Sequence, residues 1–285
     1  MIEGALILEG GSQRCMFTTG VLDVMLEQKI ELSYVNGVSA GSMCGMNYVS
    51  KQVGRMLQIN QDYLHDKRYV SFRRLLKERA IFNLDFVFGE LSKELLPFDF
   101  EGFLNSPQRF VAVATRCKTG QPEFFEKGNC SDILSAIQAS CSMPMFSPMI
   151  TVEGKKYLDG GISLPIAYQK AMDEGYEKVV VVLTREAGYR KKPKGPLAKR
   201  CYGRYFKPLP GLLEAMEEVP DRYNRMQEEL DRLEAAGRIF LIRPQSPVLV
   251  SHVEQDMKKL EELYLEGRLA GEEMLPRLRE YLGMV

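Results

Sequence analysis

The pentapeptide Gly37-Val38-Ser39-Ala40-Gly41 sets a hydroxyl between two residues that lack a side chain. That pattern suits a sharp turn from strand to helix. Glycines at Gly37 and Gly41 remove the Cβ atoms that would clash and leave the Ser39 hydroxyl exposed as a nucleophile. A helix starting at Ser39 would also aim backbone N–H groups, and the positive end of its dipole, at negative charge developing on a reacting oxygen. A plain tight turn with a capping serine fits the same five residues, so the neighbouring elements must decide. A second glycine turn, Glu9-Gly10-Gly11-Ser12-Gln13-Arg14, lies upstream. Its spacing is not the G-x-G-x-x-G of a dinucleotide-binding loop.

A serine nucleophile needs a proton acceptor, and the chain holds only two histidines. His65 lies in the polar run Asp62-Tyr63-Leu64-His65-Asp66-Lys67-Arg68 and reads as a surface residue. His252 reads as a residue at the start of a helix, yet it follows Ser39 and Asp159 in the Ser…Asp…His order of α/β-hydrolase triads. The other arrangement has Asp159, on the loop Asp159-Gly160-Gly161, take the proton of Ser39 with no imidazole between them. A free aspartate, with a pKa of about 3.9, is a poor base in water. In a partly dry site with preorganised oxyanion donors the transfer becomes feasible, and the paired glycines would let this loop approach another closely. The residues leave dyad and triad both open. Six cysteines, Cys15, Cys44, Cys117, Cys130, Cys141 and Cys201, show no C-x-x-C spacing, so reduced thiols are expected and neither a metal nor another cofactor.

The elements that must position these groups follow from hydrophobic patterning. Ala5–Leu8, Leu32–Asn36, Phe110–Thr115, Lys178–Thr184 and Arg238–Arg243 read as short strands, most of them buried on both faces. Thr18–Gln28, Ser42–Val49, Asp132–Cys141, Ile166–Glu174 and Leu212–Ala236 read as helices between them, the alternation of a largely parallel α/β sheet. Met149–Leu158 alternates around Glu153-Gly154 as a hairpin that delivers Asp159 to its loop. Val253–Leu282 reads as a charged helical tail broken near Gly267 and Pro276.

A chain of 285 residues can bury a sizeable core as one large α/β domain or two small ones. Lys plus Arg and Asp plus Glu both number 38, so nothing global points to nucleic acid. The N-terminus has no positive n-region, and no apolar run approaches the ~20 residues that cross a bilayer. A cytoplasmic protein is the expectation.

Taken in order, Leu8–Arg14, Gly37–Gly41, Ala139-Ser140-Cys141-Ser142-Met143-Pro144 and Tyr157-Leu158-Asp159-Gly160-Gly161 resemble the patatin-like phospholipases. The likeness spans nearly the whole chain. The stretch from Phe98-Asp99-Phe100 to Cys117 and the loop Gly188-Tyr189-Arg190-Lys191-Lys192-Pro193 look like a bacterial branch of that family. The resemblance implies a three-layer α/β fold, with a mostly parallel central sheet flanked by helices. It implies one catalytic domain over residues 1–285, with a helical insertion around 55–101 and a helical C-terminal extension around 246–285. It also implies a lipid acyl hydrolase of phospholipase A or esterase type that works through an acyl-enzyme, with Ser39 as nucleophile and Asp159 as base. Gly10, Gly11 and Ser12 would then form the oxyanion hole, with Arg14 at the family's basic position. Here Ser12 and Cys15 replace glycines of the usual G-G-G-x-[RK]-G pattern. An acyltransferase on the same dyad and a non-catalytic lipid-binding protein are the competing classes.

Two segments bear on the substrate, expected to be a lipid or other acyl ester. Ser71–Phe82 is basic and apolar together and suits either a membrane interface or an ordinary amphipathic helix packed on the domain. Arg185–Lys207 carries nine Lys or Arg against one acidic residue, Glu186. It suits either a solvated connection or a loop that draws phosphate head groups and adds peripheral contact at the inner membrane face. Oligomeric state is left open.

Overall fold

The computed structural model describes residues 1–71 and 81–284. The interface reading of Ser71–Phe82 therefore falls almost wholly outside the described residues. In chain order the strands are β1 (Ile2–Leu8), β2 (Leu32–Val38), β3 (Arg109–Arg116), β4 (Pro122–Glu126), β5 (Ile150–Val152), β6 (Lys155–Asp159), β7 (Val179–Val182) and β8 (Phe240–Ile242). The helices that concern the site and core are α1 (Cys15–Glu27), α2 (Ala40–Val49), α3 (Arg55–Tyr63), α4 (Phe100–Asn105), α5 (Ile133–Ser140) and α6 (Tyr168–Asp173). They continue with α7 (Pro196–Tyr205), α8 (Pro210–Glu217), α9 (Val219–Ala235) and α10 (Met257–Leu282).

By hydrogen-bonded neighbours the sheet runs β5-β6-β3-β2-β1-β7-β8, with β4 also paired to β3. Strands β3, β2, β1, β7 and β8 are parallel, whereas β4 and β6 run antiparallel to β3 and β5 antiparallel to β6. Alternation sorts the side chains. Leu6, Leu8, Val35, Ala112, Val180 and Val182 face a layer made by α1, α2 and α10. Ala5, Ile7, Tyr34, Val111, Val179 and Val181 face α6 and α9 on the other side. The continuous apolar strands are thus the mark of a parallel sheet covered on both faces, and the three-layer α/β expectation holds.

The hairpin forms as expected. Glu153 and Gly154 both take positive φ, 48° and 74°, the geometry of a tight turn matched to the strand twist. Elsewhere the chain departs from the sequence reading. The helix expected over Leu212–Ala236 is two, α8 and α9, because Pro220 lacks an N–H and sits in the first turn of the second. The C-terminal helix starts at Met257 rather than Val253 and is unbroken, with Pro276 inside it. Gly267 is no breaker there; it is a contact. A Cβ on Gly267 would stand 2.1 Å from the Phe17 carbonyl oxygen, and one on Gly20 would stand 2.2 Å from that of Tyr264. These two glycines let the backbones of α1 and α10 touch. The Arg185–Lys207 segment is also more ordered than a plain connection, since Pro196 opens α7, whose residues are all exposed or half-buried.

Between α2 and α4 the chain adds α3, a helical turn Leu84–Phe86 and a π-helical stretch Val87–Leu95 interrupted at Gly89. Met56, Ile59, Phe86, Val87 and Leu91 gather into an apolar cluster of their own, with the partly buried Met43 of α2 packed against it.

Candidate active site

The registers of β3 bring two loops together. Strand β2 pairs with β3 up to Val38 opposite Val113, and β6 begins its pairing at Asp159 opposite Ala114. Strand β4 pairs along Val111–Thr115 and so occupies the other edge of β3. Strands β2 and β6 therefore meet end to end on one edge, and the residues that follow them, Ser39 and the Asp159 loop, face each other. Ser39 Oγ donates a hydrogen bond to Asp159 Oδ2 at 2.6 Å.

Ser39 holds φ 54° and ψ −132°, outside the regions that residues with a Cβ prefer. Such strain persists only where the surroundings over-determine it. Here the Ser39 N–H donates to Ser140 Oγ at 2.8 Å, and Ser140 Oγ in turn donates to the Val113 carbonyl at 2.6 Å. Ser42 Oγ donates to the Ser39 carbonyl at 2.6 Å. The flanking glycines are required by space. A Cβ on Gly37 would lie 2.5 Å from Ser42 Cα, and one on Gly41 would lie 2.6 Å from the Leu8 carbonyl oxygen.

Asp159 is equally fixed. Its N–H donates to the Ser142 carbonyl at 2.8 Å, its carbonyl accepts from Thr115 Oγ1 at 2.8 Å, and its Oδ1 accepts the Gly161 N–H at 2.7 Å. Gly160 lies against Val113, whose carbonyl oxygen would be 2.1 Å from an added Cβ. Burial lifts the Asp159 pKa to about 6, against the opposing pull of the Ser39 and Gly161 hydrogen bonds and of the Lys191 charge. Desolvation makes it a better proton acceptor than a free carboxylate.

The first glycine turn closes over Ser39. A Cβ on Gly10 would be 2.8 Å from that of Ser39, so the turn rests directly on the elbow. Ser12 keeps φ at 51° despite its side chain, and its hydroxyl donates to the His252 carbonyl at 2.6 Å. The N–H groups of Gly11 and Ser12 find no acceptor among the described residues. Cys15 is buried in the first turn of α1, its thiol directed at the Glu9 carbonyl.

His252 lines the cleft and is tied to Arg14. Its Nε2 meets Arg14 Nη2 at 2.8 Å. Although His252 is exposed overall, crowding of its ring edge, then the charges of Arg14 and Lys191, lower its pKa, which favours a neutral ring whose Nε2 accepts from Arg14. His65 is exposed in the helical turn after α3.

Ser39 opens into two cavities. One, of about 60 Å³, is lined by Met16, Met43, Met56, Tyr69, Phe82 and Val87 and is mostly apolar. The other is a wider cleft of about 250 Å³ that contains Gly10, Gly11, Ser12, Arg14, Ser39, Asp159 and Gly161 together with Lys191, Lys192, Lys194 and His252. The residues marked out in the sequence thus converge. Ser140, Ser42, Thr115 and Lys191 were not marked out, although Ser140 and Lys191 belong to motifs that carried the resemblance.

A model of the patatin-like phospholipases matches residues 6–169, more than half of the chain, so the protein belongs to that family. Membership implies a hydrolase acting on lipid. Residues 209–283 match a second model, a domain of unknown function, DUF6363. The uncharacterized protein YjjU of Escherichia coli (strain K12) is 28% identical over 286 residues, covering 98% of this chain and 78% of its own. Among solved structures, VipD from Legionella pneumophila aligns with a TM-score of 0.49 at 13% identity, over 97% of this chain and 67% of its own. Among the described residues no helix is long and apolar enough to cross a membrane.

Proposed function

We propose that the protein is a serine lipid acyl hydrolase, of phospholipase A or esterase type, working through a Ser39–Asp159 dyad and an acyl-enzyme. The observation that carries this reading is the 2.6 Å hydrogen bond from Ser39 Oγ to a buried Asp159 Oδ2, made by a serine held in a strained elbow.

In the proposed cycle Asp159 accepts the hydroxyl proton as Ser39 Oγ attacks the ester carbonyl. The tetrahedral oxyanion then receives the unengaged N–H groups of Gly11 and Ser12. Collapse expels the alcohol, to which Asp159 returns the proton. Water, deprotonated by the same carboxylate, then attacks the acyl-enzyme, and collapse releases the fatty acid as Asp159 returns that proton to Ser39 Oγ. The positive φ at Ser12 supports this reading, because it gives the turn the conformation that a glycine there would take freely. His252 stays outside the proton path, because Arg14 already occupies its Nε2.

The two cavities give the substrate a direction. The acyl chain enters the apolar cavity beside Met43 and Val87, and the alcohol portion lies in the cleft with Lys191. Hydrolysis of short p-nitrophenyl esters by wild type, Ser39→Ala, Asp159→Asn and His252→Ala tests the assignment. Loss of turnover in the first two variants with retention in the third is expected. Loss in His252→Ala with retention in Asp159→Asn would replace the dyad by a histidine base.

A further inference from the structure

The cavity assigned to the acyl chain carries polar groups that an alkyl chain does not use. Gln13, from the turn Ser12–Arg14, and Asn60, from α3, both line it among Met16, Met43, Met56 and Val87. Gln13 is only 5% exposed and Asn60 2%. Buried amides in such surroundings are costly unless their polar atoms are paired.

The hydrogen bonds of the two side chains fix which way each amide points. Asn60 Nδ2 donates to the Met56 carbonyl one turn back at 3.0 Å, with Met16 Sδ at 3.5 Å as a second, weaker acceptor. Asn60 Oδ1 is therefore the acceptor of the pair, and Gln13 Nε2 donates to it at 3.0 Å. Gln13 Oε1 and the second Nε2 hydrogen are left without a partner among the described residues. Packing does not require this arrangement, since apolar side chains would join the turn to α3 without stranding an acceptor. Gln13 also follows Ser12 directly, so its amide belongs to the turn proposed to hold the ester carbonyl.

We infer that Gln13, positioned by Asn60, is a specificity residue that reads a hydroxyl on the acyl chain close to its carbonyl, so that the preferred substrate is a hydroxyacyl ester. The inference rests on the reading of Ser39 as acyl acceptor. A hydroxyl can donate to Gln13 Oε1 and accept from the second Nε2 hydrogen, whereas an alkyl chain displaces water from the amide and leaves both unpaired. Sites built around a substrate hydroxyl discriminate against the analogue without it for this reason.

Calorimetric titration of the Ser39→Ala protein tests this without turnover. The probes are methyl hexanoate, methyl 2-hydroxyhexanoate and methyl 3-hydroxyhexanoate. At least one hydroxy ester is expected to bind about tenfold tighter than the plain ester, and which one does so locates the hydroxyl. Adding Gln13→Met, close in volume but apolar, is expected to abolish the difference while the plain ester binds no more weakly than before. Asn60→Leu, which frees the Gln13 side chain, is expected to shrink the difference in part, with melting temperatures confirming that each variant folds. Equal affinity for all three esters would overturn the inference, and so would a preference that persists in Gln13→Met. A loss in Gln13→Met shared equally by hydroxylated and plain esters would also overturn it, because that is the mark of packing alone. Since binding is read in a protein without the serine, this result stands or falls separately from ester hydrolysis by the wild type.

Discussion

Asp159 receives one proton-bearing partner, Ser39, and one fixed donor, the Gly161 N–H, and the half-buried Cys141 thiol and Lys191 ammonium lie near it. Burial raises its pKa to about 6, so the carboxylate is ionised above that pH and protonated below it. Only the ionised form can accept the Ser39 proton. The acid limb of kcat/KM for a neutral ester should therefore fall as pH drops through about 6, a profile measurable with a p-nitrophenyl ester in constant-ionic-strength buffers. A limb near pH 4 would mean that Asp159 is better solvated than its surroundings indicate. Asp159→Asn keeps the volume but not the base, and kcat should drop by about 10²–10⁴. His252→Ala removes an acceptor of Arg14 and no proton carrier, so its loss should stay within about tenfold, with the acid limb in place.

At the scale of elements, the elbow depends on α5 as much as on α2. Ser140 of α5 bonds the Ser39 N–H and the Val113 carbonyl at once, tying helix, elbow and β3 together. Ser140→Ala strands two buried groups, at about 1–3 kcal/mol each, and should lower both the melting temperature and kcat. The crossing of α1 and α10 makes a separate claim about stability. Gly267→Ala drives a methyl group into the Phe17 carbonyl, and thermal melts should show a loss of about 1–3 kcal/mol. What the sequence disclosed and withheld divides along these lines. Strands such as Val179–Val182 and the glycine turns were legible because burial on both faces and missing side chains leave direct marks in residue type. The continuity of α10 was not, since a glycine that breaks a helix and one that permits a helix contact look identical without the partner, here Phe17. The bonds of Ser140 and Asn60 were hidden for the same reason, because their partners lie far away in the chain.

For the molecule as a whole, the sheet sets Ser39 where two loops converge, Met56, Tyr69, Phe82 and Val87 line the apolar cavity, and α8 and α9 line the basic cleft. Val87, in the π-helical stretch, should limit chain length. Val87→Phe fills space in a cavity of about 60 Å³, and kcat/KM should fall more for long-chain than for butyrate esters, read from a chain-length series. The central claim is that Ser39 is an activated nucleophile in a formed oxyanion turn. Intact-mass analysis after treatment with a fluorophosphonate tests it most directly. A single adduct on the wild type, absent from Ser39→Ala, is the predicted result. An unlabelled wild type, or a label that persists in Ser39→Ala, would contradict the account.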